Sequence, residues 1–168
     1  MNKILVFFIL SSFVFSQKAD LTSAILAFQK NDNVTAKEFI DIAYDKFMQK
    51  GIDQEKPKII SKFWYNRGEI YYALGDFETA TESFINDLDL NAKGGQQKKS
   101  VVSLQKCAGQ FYNLAYENYE SKNFLISAQY FEKTYEIKLH SSIAALDTAS
   151  LYSACVVYNL IPDFLNSN

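Results

Sequence analysis

The chain has 168 residues, of which 48% are hydrophobic and 21% are charged, a balance typical of a globular protein and not of a disordered one. A net charge of −2 with no basic stripe excludes nucleic acid as an expected partner, because phosphate binding needs positive charge. Only 6 Gly and 2 Pro are present, which argues against a turn-dense β-sandwich.

The first residues have the pattern of a secretory signal peptide. Lys3 supplies a positive charge, and the run from Ile4 to Phe15 is almost entirely apolar. Cleavage is expected after Ser16, which would leave Gln17 as the first mature residue and no membrane insertion after cleavage. The alternative is an N-terminal membrane anchor, although an apolar run of about a dozen residues is short for a bilayer-spanning helix.

A first pair of helices is predicted over residues 21–30 and 35–50, with a turn at 31–33 between them. Thr35 and Glu38 have the spacing of a capping box at the start of the second helix. Small residues at the close contact between the two helices are expected to be Ala24, Ala36 and Ala43.

Two later segments, residues 64–90 and 111–137, are related by an internal repeat with an offset of 47 residues. The identical pairs are Tyr65/Tyr112, Asn66/Asn113, Tyr72/Tyr119, Phe77/Phe124 and Phe84/Phe131. Each copy predicts two helices joined by a tight turn, with Asp76 in the first copy and Asn123 in the second as the helix cap.

The first of these copies resembles the tetratricopeptide repeat (TPR) family. The matching aromatic, small and glycine positions are Trp64, Gly68, Tyr71, Gly75, Phe77, Ala80, Phe84 and Leu88. The resemblance implies an all-α fold, a short α-solenoid of antiparallel helix pairs in a right-handed superhelix. Gly68 and Ala80 are expected where the two helices come closest.

Mapped on the whole chain, the resemblance divides a repeat domain over residues 17–168 into approximate repeats. These are 19–50, 58–92, 98–139 and an incomplete 146–168. The offset of 47 residues exceeds the ordinary TPR period of about 34, so helices or loops must be longer than usual. This layout resembles secreted TPR proteins of the Bacteroidetes type.

The last predicted helix covers residues 147–160 and is followed by a turn at 161–164. Cys155 is expected at its small packing position, with Leu151 and Tyr158 beside it. Secretion would permit a disulfide between Cys107 and Cys155, but the repeat alignment separates them by roughly 12 Å along their helix axes. Two small buried residues are therefore the favoured interpretation, since a disulfide needs Cα atoms within about 7 Å.

The sequence contains few candidate catalytic residues. His140 is the single histidine and lies at a predicted helix end, where capping or solvation explains it. No recognised metal-ligand spacing is present, and Asp87 and Asp89 are interpreted as a solvated surface. The chain is therefore expected to be non-enzymatic, with no cofactor and no metal.

Tyrosine placement is the informative feature, in a chain with 14 Phe and 11 Tyr. A stripe at helical spacing occurs on successive first helices, and its predicted partner-binding members are Tyr65, Glu69, Tyr72, Tyr112, Tyr116, Tyr119 and Tyr152. In the TPR family this stripe lines a concave groove, and tyrosine suits binding surfaces. The alternative is that the rings pack between repeats.

The sequence differs from part of the TPR family in one respect. Members that grip a C-terminal carboxylate use Lys, Asn and Arg in this stripe, whereas the matching positions here are Tyr65, Glu69 and Tyr112. A carboxylate clamp is therefore not expected.

The function predicted from the sequence is a non-catalytic scaffold that binds a partner protein or peptide in a tyrosine-lined groove. The expected location is the periplasm or cell envelope of a Gram-negative bacterium. The alternative is an assembly subunit, or the N-terminal piece of a longer repeat protein, that self-associates through an uncovered C-terminal helix.

Overall fold

The computed structural model of the protein describes residues 18–90 and 92–166, and this part of the chain is helical without any strand. In chain order the helices are α1 (18–29), α2 (Asn33–Lys50), a 3-10 turn (Ile52–Gln54), α3 (Pro57–Ala73), α4 (Phe77–Leu90), α5 (Gln97–Glu120), α6 (Phe124–Leu139) and α7 (Thr148–Asn166). The predicted all-α class of paired helices is confirmed. The predicted signal peptide, residues 1–16, lies outside the described residues.

The chain forms two compact units, one up to Gln97 and one from Lys98 onward. In the first unit α3 packs along α4, and α2 contacts α3. In the second unit α6 packs along α7 and also contacts α5, where the Phe111 and Tyr130 rings lie 5.7 Å apart. Among the described helices, none is long and apolar enough to cross a membrane.

The three turns that join paired helices share one backbone conformation. In each, a residue with positive φ ends the first helix; these are Asn31 (61°), Gly75 (81°) and Lys122 (61°). The N–H of the following residue then donates to a carbonyl five residues earlier, in the pairs Asp32–Ala27, Asp76–Tyr71 and Asn123–Asn118. This is the hydrogen bond of a Schellman-type helix end. The first helix pair, whose sequence match is weaker, therefore has the same turn as the two clear repeats.

The two clear repeats differ in how their second helix is capped. Asp76 accepts hydrogen bonds from the Thr79 backbone N–H (3.0 Å) and the Thr79 hydroxyl (2.8 Å), as predicted. Asn123 occupies the N-cap position of α6, but its side chain makes no capping bond and donates to Asn118 Oδ1 instead (3.4 Å).

The capping box predicted for α2 is wrong. The helix begins at Asn33, and its N-cap is Asp32, whose carboxylate accepts the backbone N–H of Thr35 at 3.1 Å. The preceding residue has positive φ and places Asp32 where its side chain can reach the first free N–H groups. Thr35 is thus a donor to the cap, and Glu38 is an exposed residue of the first turns.

The small residues stand where paired helices approach most closely. A Cβ atom built on Gly68 would lie 2.4 Å from the Phe84 ring, so α3 and α4 can meet there only because Gly68 has no side chain. Ala80 on α4 is completely buried. At the matching place in the second unit, the Ser127 hydroxyl donates to the Ala115 carbonyl at 2.8 Å.

A buried arginine joins the packing of the first unit. The Arg67 guanidinium lies over the rings of Tyr44 (4.8 Å), Tyr71 (5.0 Å) and Trp64 (5.7 Å), and it donates to the Ser83 hydroxyl at 2.6 Å. A guanidinium stacks well on aromatic faces, which explains how this charge is accommodated between α2, α3 and α4. Arg67 was not among the residues predicted from the sequence to be buried or functional.

The last helix differs from its prediction in length and in the face that it buries. Helix α7 continues through Pro162, so the turn predicted at 161–164 is wrong; a proline removes one helical hydrogen bond but does not oblige the chain to reverse. Ala154 and Val157 are buried, whereas Cys155 is exposed, so its predicted buried position is also wrong. Both faces have helical spacing, and the face that carries the smaller Ala154 allows the closer approach.

The remaining polar predictions have mixed outcomes. Asp87 was expected on a solvated surface, but its side chain is completely buried and accepts a hydrogen bond from Gln97 Nε2 (3.3 Å). The loop before α5 folds back and brings Gln97 to this carboxylate, a contact that helical periodicity cannot reveal. Cys107 is buried as expected, and neither Cys107 nor Cys155 takes part in a disulfide.

Candidate functional site

The tyrosine stripe of the first unit packs against phenylalanines of α4. The Tyr65 ring lies 6.2 Å from Phe84, and the Tyr72 ring lies 5.3 Å from Phe77. Glu69 stands between the two tyrosines, and all three stripe residues are half-buried. Burial raises the pKa of Tyr65, and the neighbouring Glu69 carboxylate raises that pKa further.

The second unit repeats these contacts at an offset of 47 residues. The Tyr112 ring lies 5.5 Å from Phe131, and the Tyr119 ring lies 5.8 Å from Phe124. Each outer tyrosine of the stripe therefore rests one side on a ring of the second helix while the rest remains open to solvent. Tyr112 is 43% exposed and Tyr119 is 37% exposed.

The middle position distinguishes the two stripes. Tyr116 occupies in α5 the place that Glu69 occupies in α3, and it is 56% exposed. An exposed phenol ring offers a large apolar area together with a hydroxyl, and it loses little conformational entropy on binding. Of the three stripe residues on α5, Tyr116 thus has the largest exposed fraction available for contact.

The stripe of α5 faces α7 across an open groove. Helix α7 contributes Tyr152, which is 71% exposed, together with Ser153, Val156 and Val157. Phe131 of α6 lies at the base, and the groove encloses about 210 Å³. The structure therefore brings four predicted site residues, Tyr112, Tyr116, Tyr119 and Tyr152, to one cavity of the second unit. Tyr65, Glu69 and Tyr72 belong to the first unit.

The lining of this groove is aromatic and uncharged. Four phenol hydroxyls and the Ser153 hydroxyl are its hydrogen-bonding groups, and the rest of the lining is apolar. Such a surface can stack on rings, cover apolar side chains and donate hydrogen bonds to carbonyl groups. The Phe131 and Val157 side chains, which belong to the hydrophobic core, hold the base in place.

Val156 lies four residues after Tyr152 on the stripe expected along the last helix, and the other three lining residues, Phe131, Ser153 and Val157, had not been predicted from the sequence. Phe131 could have been found, because it matches Phe84 in the repeat alignment and lies beneath the tyrosine at the equivalent place. Ser153 and Val157 of α7 could not be identified from the sequence, because α7 was expected to bury the face that carries Cys155. The structure buries the adjacent face, which carries Ala154.

Other polar groups of interest lie away from this groove. His140 is the C-cap residue of α6, and its backbone N–H donates to the Ile137 carbonyl oxygen. Its ring Nδ1 accepts a hydrogen bond from the Ser142 backbone N–H at 3.3 Å. Over the described residues, no group of three His, Cys, Asp or Glu side chains is arranged to hold a metal ion.

Comparison with known proteins gives a partial match. No protein-family model matches the chain. A segment of 49 residues is 41% identical to a TPR repeat-containing protein from Methanocaldococcus jannaschii. The segment is 29% of this chain and spans only 9% of that protein. This match and the all-helical architecture of paired helices support a TPR-like family for the chain.

Proposed function

We propose that the protein is a non-catalytic interaction scaffold that binds a partner protein or peptide in the groove between α5 and α7. TPR proteins generally bind protein partners, and the similarity to a TPR repeat-containing protein supports this class of function. The groove offers contact surface and hydrogen-bond donors without any arrangement of groups for bond-breaking chemistry.

The observation that carries the proposal is the convergence of exposed tyrosines. Tyr116 and Tyr152 are among the most exposed large hydrophobic residues of the described chain, and they lie on two different helices that face one cavity. A cluster of exposed aromatic rings does not stabilise a surface that contacts only water, and such clusters commonly mark interaction sites. Tyrosine is a frequent anchor at the centre of a protein interface.

The test compares partner capture with stability in Tyr116→Ala. The exposed ring contributes little to the core, so the thermal midpoint should stay within about 2 °C of wild type. An anchor at the centre of an interface typically contributes about 2 kcal/mol or more, so binding should weaken by at least about tenfold. Pull-down from envelope extract with quantitative mass spectrometry identifies the captured protein, and titration of that protein measures the loss.

Phe111→Ala is the control, because Phe111 is a completely buried ring on the same helix. Its truncation should destabilise the second unit by about 3–5 kcal/mol. If Tyr116→Ala instead lowers the stability as much as Phe111→Ala, the stripe is part of the core. If Tyr116→Ala changes neither stability nor capture, the groove is not the binding site.

Self-association is the second candidate function, and one observation favours it. Leu151 and Cys155 lie on the exposed face of α7, so this helix presents apolar surface away from α6. Light scattering over a range of concentrations separates the two functions. A monomer that captures a partner supports the scaffold, whereas a concentration-dependent oligomer that Leu151→Glu dissociates supports assembly.

A further inference from the structure

We propose that the partner segment in the groove between α5 and α7 presents an arginine side chain to the tyrosine rings, with Glu120 of α5 supplying the carboxylate beside it. This inference rests on the proposed function and adds the chemical class of the recognised group. It follows from the aromatic lining, from the charges next to the groove, and from the way in which this chain packs its own Arg67.

The groove combines aromatic rings with hydroxyl groups and has no positive charge in its lining. The eight side chains around it are five aromatic rings, two valines and one serine. A guanidinium is attracted to the face of an aromatic ring, and it is more weakly hydrated than an ammonium group. The phenol oxygens and the Ser153 hydroxyl can accept its N–H groups. An acidic side chain would lose its hydration here without meeting a cation, so the lining favours a cationic group.

The charges on α5 beside the tyrosines are negative. Over residues 109–120 the charged side chains are Glu117 and Glu120, and both are exposed. Neither forms an ion pair with another described residue, not even with Lys122 in the turn that follows. Glu120 lies four residues after Tyr116 and therefore on the same face of the helix, where Cβ atoms at this spacing are about 5–6 Å apart. A cation over the Tyr116 ring thus has a carboxylate within reach.

The position of these carboxylates is unfavourable for the helix itself. The last turn of an α-helix has partial negative charge on its free carbonyl groups and is stabilised by basic side chains. Helix α5 has no basic residue in its last turn, and it ends on Glu120. A cation that binds there offsets the charge of the carboxylate and of the helix end together. The placement therefore suits a positively charged partner, whereas it does not help the chain to fold.

The first unit shows this chain holding a guanidinium with the same kinds of groups. Arg67 lies over the rings of Tyr44 (4.8 Å) and Tyr71 (5.0 Å). Its Nη1 donates to the Ser83 hydroxyl at 2.6 Å and lies 3.5 Å from a carboxylate oxygen of the exposed Glu82. Aromatic rings, a hydroxyl and an exposed carboxylate thus surround one guanidinium. The groove of the second unit offers the same three kinds of group to a guanidinium that a partner brings.

A selection from a random peptide library tests the inference separately from the proposed function. Peptides are selected on the full wild-type chain and counter-selected on Tyr116→Ala. Enrichment of arginine among the Tyr116-dependent peptides supports the inference. Tyr116-dependent peptides without arginine would overturn it and leave the groove function standing. A library without any Tyr116-dependent binder would overturn both.

Replacement of the selected arginine by citrulline tests the charge directly, because citrulline keeps the planar side chain but is neutral. Calorimetric titration into the full chain should show at least about tenfold weaker binding for the citrulline peptide. Equal affinities of the two peptides would mean that the groove recognises shape or apolar area, and the inference would be wrong.

Glu120→Gln tests the carboxylate with two measurements that a purely structural glutamate would move together. The affinity for the arginine peptide should fall by about two- to fivefold and depend less on salt, because an exposed ion pair is lost. The thermal midpoint should stay the same or rise, because a charge that opposes the helix end is removed. Glu38→Gln, the same change at an exposed position of α2, is the control and should bind like wild type. Unchanged affinity in Glu120→Gln, or an equal loss in both variants, would refute the role of Glu120.

Discussion

Lys122 carries a conformational cost that its repeat counterpart avoids. It has a φ of 61° in the turn between α5 and α6, at the place where the first clear repeat has Gly75. A non-glycine residue in the left-handed region costs about 1–2 kcal/mol, because its Cβ crowds the following carbonyl. The turn forms nevertheless, and the Asn123 backbone N–H donates to the Asn118 carbonyl oxygen at 2.8 Å.

Replacing Lys122 with glycine should therefore stabilise the protein. We expect Lys122→Gly to raise the free energy of unfolding by about 1 kcal/mol, after the greater entropy of glycine in the unfolded chain is included. Urea denaturation followed by circular dichroism measures the change. Lys122→Ala retains the Cβ and should show no gain; an equal gain in both variants would mean that the side chain and not the backbone is responsible.

Asp147 links the start of α7 to α6. Its carboxylate accepts the Ser150 backbone N–H (3.2 Å), the Ser150 hydroxyl (2.6 Å) and the Lys138 ammonium (2.7 Å). Burial acts to raise the pKa of Asp147, but the hydrogen bonds from Lys138 and Ser150 outweigh it and lower the pKa below its ordinary 3.8.

The lowered pKa of Asp147 predicts a loss of stability in acid. The ionised carboxylate stabilises the fold at pH values above 3.8, and this contribution disappears as the pH falls through the lower pKa of the folded state. Asp147→Asn should be less stable than wild type at pH 7 and should lose less stability between about pH 5 and pH 3. Exposed Asp45→Asn is the control, and parallel pH curves for wild type and Asp147→Asn would contradict the assignment.

At the scale of helices, close packing depends on where a side chain is missing. Gly68 in α3 and Gly109 in α5 are both inside helices, yet only Gly68 faces a neighbouring ring. A Cβ on Gly68 would lie 2.4 Å from Phe84, whereas a Cβ on Gly109 would have no atom within 4 Å. A comparison of the same substitution at Gly68 and Gly109 therefore separates the effect of packing between helices from the effect of helix propensity.

Alanine at these two positions should act in opposite directions. Gly109→Ala should stabilise the protein by up to about 1 kcal/mol, because alanine has the higher helix propensity. Gly68→Ala should destabilise it by about 1–3 kcal/mol, because the Phe84 ring must move out of its place. Chemical denaturation of both variants checks this. Stabilisation by Gly68→Ala would show that α3 and α4 are farther apart in solution than in this structure.

At the scale of the whole protein, the exported location remains our proposal. It rests on Lys3 and the apolar run that follows, which have the pattern of a signal peptide. We expect export in a Gram-negative host to yield a mature chain that begins at Gln17. Mass spectrometry of the exported protein checks this: another first residue would refute the cleavage site, and retention of Met1 would support the membrane-anchor alternative.

Much of the fold could be predicted because helical repeats depend on local pattern. The match between residues 64–90 and 111–137 indicated two helix pairs, their turns and their small contact residues, including Gly68 and Ala80. Part of the candidate site followed from the same pattern, since Tyr112, Tyr116 and Tyr119 lie on one side of α5. The base of the groove did not follow, because Phe131 reaches it from another helix.

The sequence alone determined the helical class and the repeat, because amphipathic spacing, glycine turns and caps act within a few residues of each other. Tertiary packing decided which of two possible faces α7 buries, since Ala154 and Cys155 both have helical spacing and only contact with α6 distinguishes them. It also decided that Asp87 is buried beside Gln97 and that Arg67 lies among aromatic rings. These outcomes depend on residues distant in sequence, whose positions no local pattern encodes.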